Sequence, residues 1–188
     1  MKKLLKKVVV VVVSIIAMLL ITAIFVKKDY TVEREITISK SNAEVFSYVK
    51  HIKNQDQYSV WTMLDPSMKK DFRGTDGTVG FVYAWDGNDK AGKGEQEIKE
   101  LTEGKAVNME LRFKKPMESI AYAHMITEAV SDNETKLKWG MKGHTPYPMN
   151  LVNLFIDGLL GKDLEASLVN LKTVMEGNNN PIAVHEKN

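Results

Sequence analysis

The run from Val8 to Val26 constrains this chain more than any other feature. It is 19 residues long and is interrupted only by Ser14 and Thr22. A helix of that length reaches about 28 Å, close to the thickness of a bilayer's hydrocarbon core. Ser14 and Thr22 can bond back to the preceding turn, so neither forbids insertion. Valine is a middling helix former in water, but unpaired backbone in lipid is so costly that the helix forms regardless. Lys2, Lys3, Lys6 and Lys7 precede the run, and Lys27 and Lys28 follow it. A buried core helix rarely carries lysines at both ends. A cleaved signal peptide shares the basic start and the apolar middle, but its apolar region usually spans about 7–15 residues and ends on a small-x-small site. This run is longer, and its exit reads Thr22-Ala-Ile-Phe-Val-Lys-Lys28. Residues 1–28 are therefore read as an uncleaved N-terminal transmembrane anchor. The excess of lysine before the span places the N-terminus in the cytoplasm and the domain in the extracytoplasmic space.

The anchor changes how the charge is read. The chain holds 26 basic and 24 acidic side chains, and six lysines but no acid lie in residues 1–28. Residues 29–188 thus carry 20 basic and 24 acidic groups, a formal charge of −4. An acidic domain suits a phosphate backbone poorly, so no nucleic-acid partner is expected. About 160 residues make one domain with one core. There is no cysteine, which excludes disulfides, thiolate nucleophiles and cysteine metal sites together.

Only Asp29 and Tyr30 separate the anchor from regular structure, a leash of about 7 Å. Thr31–Ile38 alternates, with Val32, Ile36 and Ile38 on one face, and reads as a strand. Ser41 and Glu44 form a capping box for a helix that carries Val45, Phe46 and Val49. Residues 51–68 are polar and irregular. Strand patterns then follow at 69–73, 78–85, 93–101, 105–113, 117–130 and 134–142, separated by turn chemistry such as Asp86-Gly87-Asn88-Asp89. No helical period interrupts them, so they predict an antiparallel meander. Met149–Leu160, with Gly158 and Gly161 near its end, suggests a short helix. Lys162–Glu176 places Leu164, Leu168, Leu171 and Met175 at helical spacing, and Gly177 ends it. The boundaries are an anchor over 1–28, a domain over 29–177 and a polar, disordered tail over 178–188.

This order is that of an α+β helix-grip fold, a curved antiparallel sheet wrapped around a long C-terminal helix. Particular stretches carry a resemblance: Asp29-Tyr-Thr-Val-Glu-Arg-Glu-Ile-Thr-Ile38, Ala43-Glu-Val-Phe46, Gly92-Lys-Gly-Glu-Gln-Glu-Ile98, Trp139-Gly-Met-Lys-Gly143 and Leu168-Val-Asn-Leu-Lys172. Together they span nearly all of the soluble part. The sequence resembles the SRPBCC superfamily, which includes START-like lipid carriers, the birch-pollen-allergen type and the polyketide cyclase/dehydrase group. The nearest likeness is to bacterial membrane-anchored members of the last group. Relatives of this type often carry two tryptophans after the first helix, whereas Tyr58-Ser-Val-Trp61 keeps one. The resemblance implies a cavity between sheet and helix for an apolar or amphipathic ligand. None of the matched stretches is a catalytic signature, and fold alone gives no reaction.

The residues offer little conventional chemistry. His51, His124, His144 and His185 are scattered, without HExxH or other ligand spacing, so no metal is expected. There is no G-x-S-x-G elbow, and Gly92-Lys-Gly94 fits neither a P-loop nor a dinucleotide fingerprint, so no cofactor is implied. Gln96 shares a strand face with Gly94 and Ile98 and should point inward. Its amide would bond the neighbouring backbone or a ligand's head group. Phe81, Tyr83, Trp85, Met109, Leu111, Met125, Trp139 and Met141 take inward phases of their strands. With Trp61 near the rim and Phe155, Leu164 and Leu168 from the helical end, they are the expected lining. An ordinary solid core would use the same residues.

Three functions follow from this reading. The first is a membrane-tethered protein that binds or carries a lipid or other hydrophobic small molecule. The second is a non-catalytic envelope interaction module with a filled core. The third is a cyclase-like enzyme, for which the sequence offers no converging titratable pair.

Overall fold

In a computed structural model that describes residues 2–177, helix α1 (Lys2–Phe25) leads almost directly into strand β1 (Asp29–Ile38). The tail from 178 to 188 lies outside the described residues. The expected leash is absent because Asp29 and Tyr30 already pair with His144 and Gly143 of the last strand. Helix α2 (Asn42–Val49) follows. The Ser41 side chain accepts from the Glu44 backbone N–H, and the Glu44 carboxylate accepts from the Ser41 N–H, so the capping box is complete. Val45, Phe46 and Val49 face the core. The irregular stretch condenses into a 3₁₀ turn, Ile52–Gln57, and one helical turn, α3 (Val60–Met63).

Six strands then run up and down: β2 (Lys69–Arg73), β3 (Val82–Asp86), β4 (Lys93–Thr102), β5 (Ala106–Lys115), β6 (Ser119–Ser131) and β7 (Glu134–His144). With β1 they form one seven-stranded sheet in the order β1-β7-β6-β5-β4-β3-β2, antiparallel throughout. The expectation of a strand over 78–85 needs correction. Gly80 adopts φ +87°, a left-handed backbone that L side chains avoid, so the chain is still turning there. The ladder begins at Val82, and Val79, in phase with Phe81 and Tyr83, is exposed.

The C-terminal region also differs from expectation. Met149–Leu154 is a 3₁₀ segment, and one helix, α4 (Ile156–Met175), runs through both Gly158 and Gly161. A glycine inside a helix costs about 1 kcal/mol relative to alanine. Tertiary contact offsets that at Gly161, where an added Cβ would lie 2.1 Å from Arg34 Nη2. The Arg34 guanidinium crosses this bare point of the helix and donates to both carboxylate oxygens of Asp157 at 3.0 Å. At the other end Lys172 Nζ donates to the Thr37 carbonyl, and the Ser39 N–H donates to Glu176 Oε1, both at 2.6 Å. These bonds fasten α4 along β1 and cover an edge strand that would otherwise offer itself for pairing. Leu164, Leu168 and Leu171 of α4 are buried with Ile38, Leu137 and Trp139 of the sheet.

The convex face is charged. Arg112 Nε donates to Glu95 at 2.9 Å, and its Nη1 donates to Glu97 at 2.8 Å and to Glu110 at 2.5 Å. Hydrogen bonds from Arg112 and Lys99 hold the Glu97 carboxyl below its ordinary range. At Glu95 burial acts most strongly and upward, but Arg112 and Arg73 together reverse it, and the net shift is also down. A carboxylate whose folded pKa lies below its unfolded value, about 4.3 for Glu, stabilises the fold above that value. The contribution disappears as pH falls through the folded value. The domain is therefore expected to lose stability below about pH 4, and Arg112→Met should flatten this acid dependence in thermal melts. Equal acid slopes in both proteins would contradict it.

Candidate functional site

The concave face of the sheet is not filled. A cavity of about 160 Å³ lies between it and a cover made by the 3₁₀ turn, α3 and the start of α4. Side-chain alternation puts the lining there: every second residue of a strand faces inward. Tyr83, Gln96 and Leu111 stand opposite one another on β3, β4 and β5. Met109, Ala123 and Met141 form a second row on β5, β6 and β7. Trp85 and Phe113 meet edge to face at 5.9 Å and close one side. The Trp85 indole fits only because Gly94 beneath it has no side chain; an added Cβ would be 2.7 Å from the ring. Trp61 of α3 stacks edge-on against Trp139 at 5.7 Å and closes the other. Leu160 of α4, with Ser59, Thr62 and Met68, completes the cover.

Polar atoms in this wall are few. Gln96 does point inward, but its partner is a side chain: its Nε2 donates to Gln55 Oε1 at 2.8 Å. The Gln55 amide nitrogen meets only the Met109 sulfur, at 4.0 Å, a weak acceptor. The Tyr83 hydroxyl donates to Asp56 Oδ1 at 2.7 Å. Burial, then that bond, raises the phenol's pKa, so it stays protonated. Trp139 is 3% exposed, and its Nε1–H is buried with no acceptor. A buried donor left unpaired costs about 1–3 kcal/mol. The wall thus holds one buried donor, at Trp139, without an acceptor.

Eight of the residues expected from the sequence meet here: Trp61, Tyr83, Trp85, Gln96, Met109, Leu111, Trp139 and Met141. Phe81, Met125, Leu164 and Leu168 are buried in the surrounding core instead of lining the space. Phe155 is a correction. It lies between the 3₁₀ segment and α4, is 67% exposed and does not reach the cavity. Gln55, Ser59, Thr62, Met68, Ala91, Phe113, Ala123 and Leu160 were missed. Phe113 continues the Met109–Leu111 alternation, and Leu160 stands one turn before Leu164, so both carried a signal. Gln55 sits in an aperiodic stretch and carried none.

Carboxylates, amines and imidazoles are absent from the lining among the described residues. His124 lies on the outer face, where its Nε2 is 2.8 Å from Glu33. No group of three or more His, Asp or Glu side chains able to hold a metal occurs among the described residues.

No family model and no curated protein matches the chain. Solved structures do. A protein of Nitrosospira multiformis superposes with a TM-score of 0.56 at 15% identity, over 80% of this chain and 100% of that one. The Aha1 dimer of Colwellia psychrerythraea gives 0.53 at 14%, over 80% and 99%. Norcoclaurine synthase from Thalictrum flavum, in complex with dopamine and hydroxybenzaldehyde, gives 0.57 at 10%, over 81% and 88%. The architecture is therefore the helix-grip fold. Its neighbours include norcoclaurine synthase and Aha1-like proteins, which belong to the SRPBCC superfamily. At such identity the likeness fixes the fold and leaves activity open.

Proposed function

We propose that this protein is a membrane-tethered binder of a small hydrophobic molecule that carries a hydrogen-bond acceptor. The unfilled apolar cavity, with the unpartnered indole N–H of Trp139 buried behind its wall, carries this reading. The Gln55 amide offers a guest's accepting oxygen one donor, and a small turn of the Trp139 ring would bring its N–H to the space as a second. The volume limits the guest's apolar body. About 160 Å³ is close to an engineered cavity that holds benzene and below the roughly 300–1,000 Å³ of drug-sized sites. A single ring or a short branched chain fits; two full acyl chains do not. The norcoclaurine synthase neighbour was captured with two single-ring molecules, which supports that size class. Helix α1, long and apolar enough to cross a bilayer, would keep the cavity where such molecules concentrate. Signal sequences pass the same test of length and composition. A filled-core module is disfavoured by the void itself. A cyclase-like enzyme would need an acid or base, and Tyr83 is the lone titratable side chain among the described lining residues.

The test uses the full chain in nanodiscs, with empty nanodiscs subtracted, and fluorine NMR titration of fluorobenzene and 4-fluoroacetophenone. Both should bind saturably, the ketone more tightly. Trp139→Phe should weaken the ketone by roughly tenfold, the worth of one hydrogen bond of about 1.4 kcal/mol, and spare fluorobenzene. Failure of both probes to saturate would sink the proposal.

A further inference from the structure

The segment joining β7 to α4 wears its polarity inside out. Asn150 is fully buried, and its Nδ2 donates to the carbonyls of Ala23 at 2.7 Å and Val26 at 2.8 Å. Asn153 Nδ2 donates to those of Lys27 and Lys28, each at 3.0 Å. Asp157 is paired with Arg34, with its side chain still 71% exposed. The two asparagines thus serve the protein, while Met149, Val152, Leu154, Phe155 and Leu159 are left outward, each 42–67% exposed. A water-facing surface would show the reverse pattern.

Its position says what covers it. Asn150 and Asn153 cap the exit of α1, whose last carbonyls have no helical partner. Tyr147 reaches further up the helix, with its hydroxyl 3.4 Å from the Leu20 carbonyl. From Leu20 to Phe25 is five residues, about 7.5 Å of helix rise. That matches the depth of about 5–10 Å at which interfacial helices seat their apolar faces. The flanking Lys27 and Lys28 stand at headgroup height, and a tyrosine at that level is typical of a membrane interface. The cavity lies at the same end of the sheet: Asp29 pairs with His144, and Met141, Phe113 and Trp85 sit within three residues of that end.

We infer that Met149–Leu159 is an interfacial membrane-insertion element, seated in the headgroup–acyl boundary of the bilayer that α1 crosses. This rests on α1 being a membrane span. Together the two elements hold the domain at two points and fix the cavity end against the lipid surface.

The chain has no cysteine, so single cysteines can be labelled in the full protein. Ser14→Cys, Phe155→Cys and Asp132→Cys would each carry an environment-sensitive fluorophore in vesicles of phosphatidylcholine and phosphatidylglycerol containing nitroxide lipids. The Phe155 probe should lose roughly half of its emission to shallow nitroxides, as expected for a group at interfacial depth. The Ser14 probe should respond to deep nitroxides, and the Asp132 probe, in the β6–β7 turn, to neither. A quenched Ser14 probe beside a Phe155 probe no more quenched than Asp132 overturns the inference and leaves the span intact. A Phe155 probe that is shielded from water yet untouched by nitroxide lipids also overturns it, because a protein would then cover the face. An unquenched Ser14 probe removes the span and the inference with it.

Discussion

Ala123→Phe is expected to abolish guest binding while the domain stays folded. Ala123 is 5% exposed and lies between Met109 and Met141 in the second row of the cavity wall. A ring added there enters existing space. In a close-packed site the same change would cost about 1–3 kcal/mol through overpacking; here much of that strain is relieved. Fluorobenzene and 4-fluoroacetophenone should both weaken by at least roughly tenfold, about 1.4 kcal/mol each, with the melting temperature little changed. Retained binding would mean that the probes sit elsewhere. A collapsed melting temperature would mean that the concave face is already full.

Leu168→Ala is expected to give the largest loss of stability. Leu168 is 1% exposed on the inner side of α4, within the core that joins helix to sheet. Truncating a buried leucine removes its transfer energy and leaves a hole, together costing about 2.7–5 kcal/mol. At about 2–4 °C per kcal/mol for a domain of this size, the melting temperature should fall by roughly 5–20 °C. Phe155→Ala, only 13 residues earlier but 67% exposed, should change stability by no more than about 0.5 kcal/mol. Equal shifts would contradict the placement of α4, because that contrast depends on Leu168 facing the sheet while Phe155, just before the helix, faces outward.

The sequence revealed the frame of this molecule more readily than its interior. Alternation in β1 and β4 to β7, the Ser41–Glu44 capping box and the leucine spacing of α4 are local signals, and each produced the element expected of it. The failures have local causes too. Gly80 broke a run whose residue types favour a strand, since backbone sign is invisible to alternation. Gly158 and Gly161 suggested an end to a helix that Arg34, 127 residues away from Gly161 in sequence, holds together. The cavity wall was partly legible because inward phase follows from period two. Whether an inward residue lines a void or fills it depends on its neighbours across the sheet, so Phe81 and Met125 could not be told from Tyr83 and Met141. Gln55 came from a stretch with no period at all. The Met149–Leu160 run was recognised as apolar, but the partners of Asn150 and Asn153 lie more than a hundred residues upstream.

Native mass spectrometry of the full chain, released gently from nanodiscs formed directly from its own membranes, bears most directly on the cavity as a binding site. The expected spectrum shows one small molecule per wild-type chain, absent from Ala123→Phe. Wild-type and variant chains both emerging at bare mass, and the wild-type chain taking up neither fluorinated probe, would contradict it.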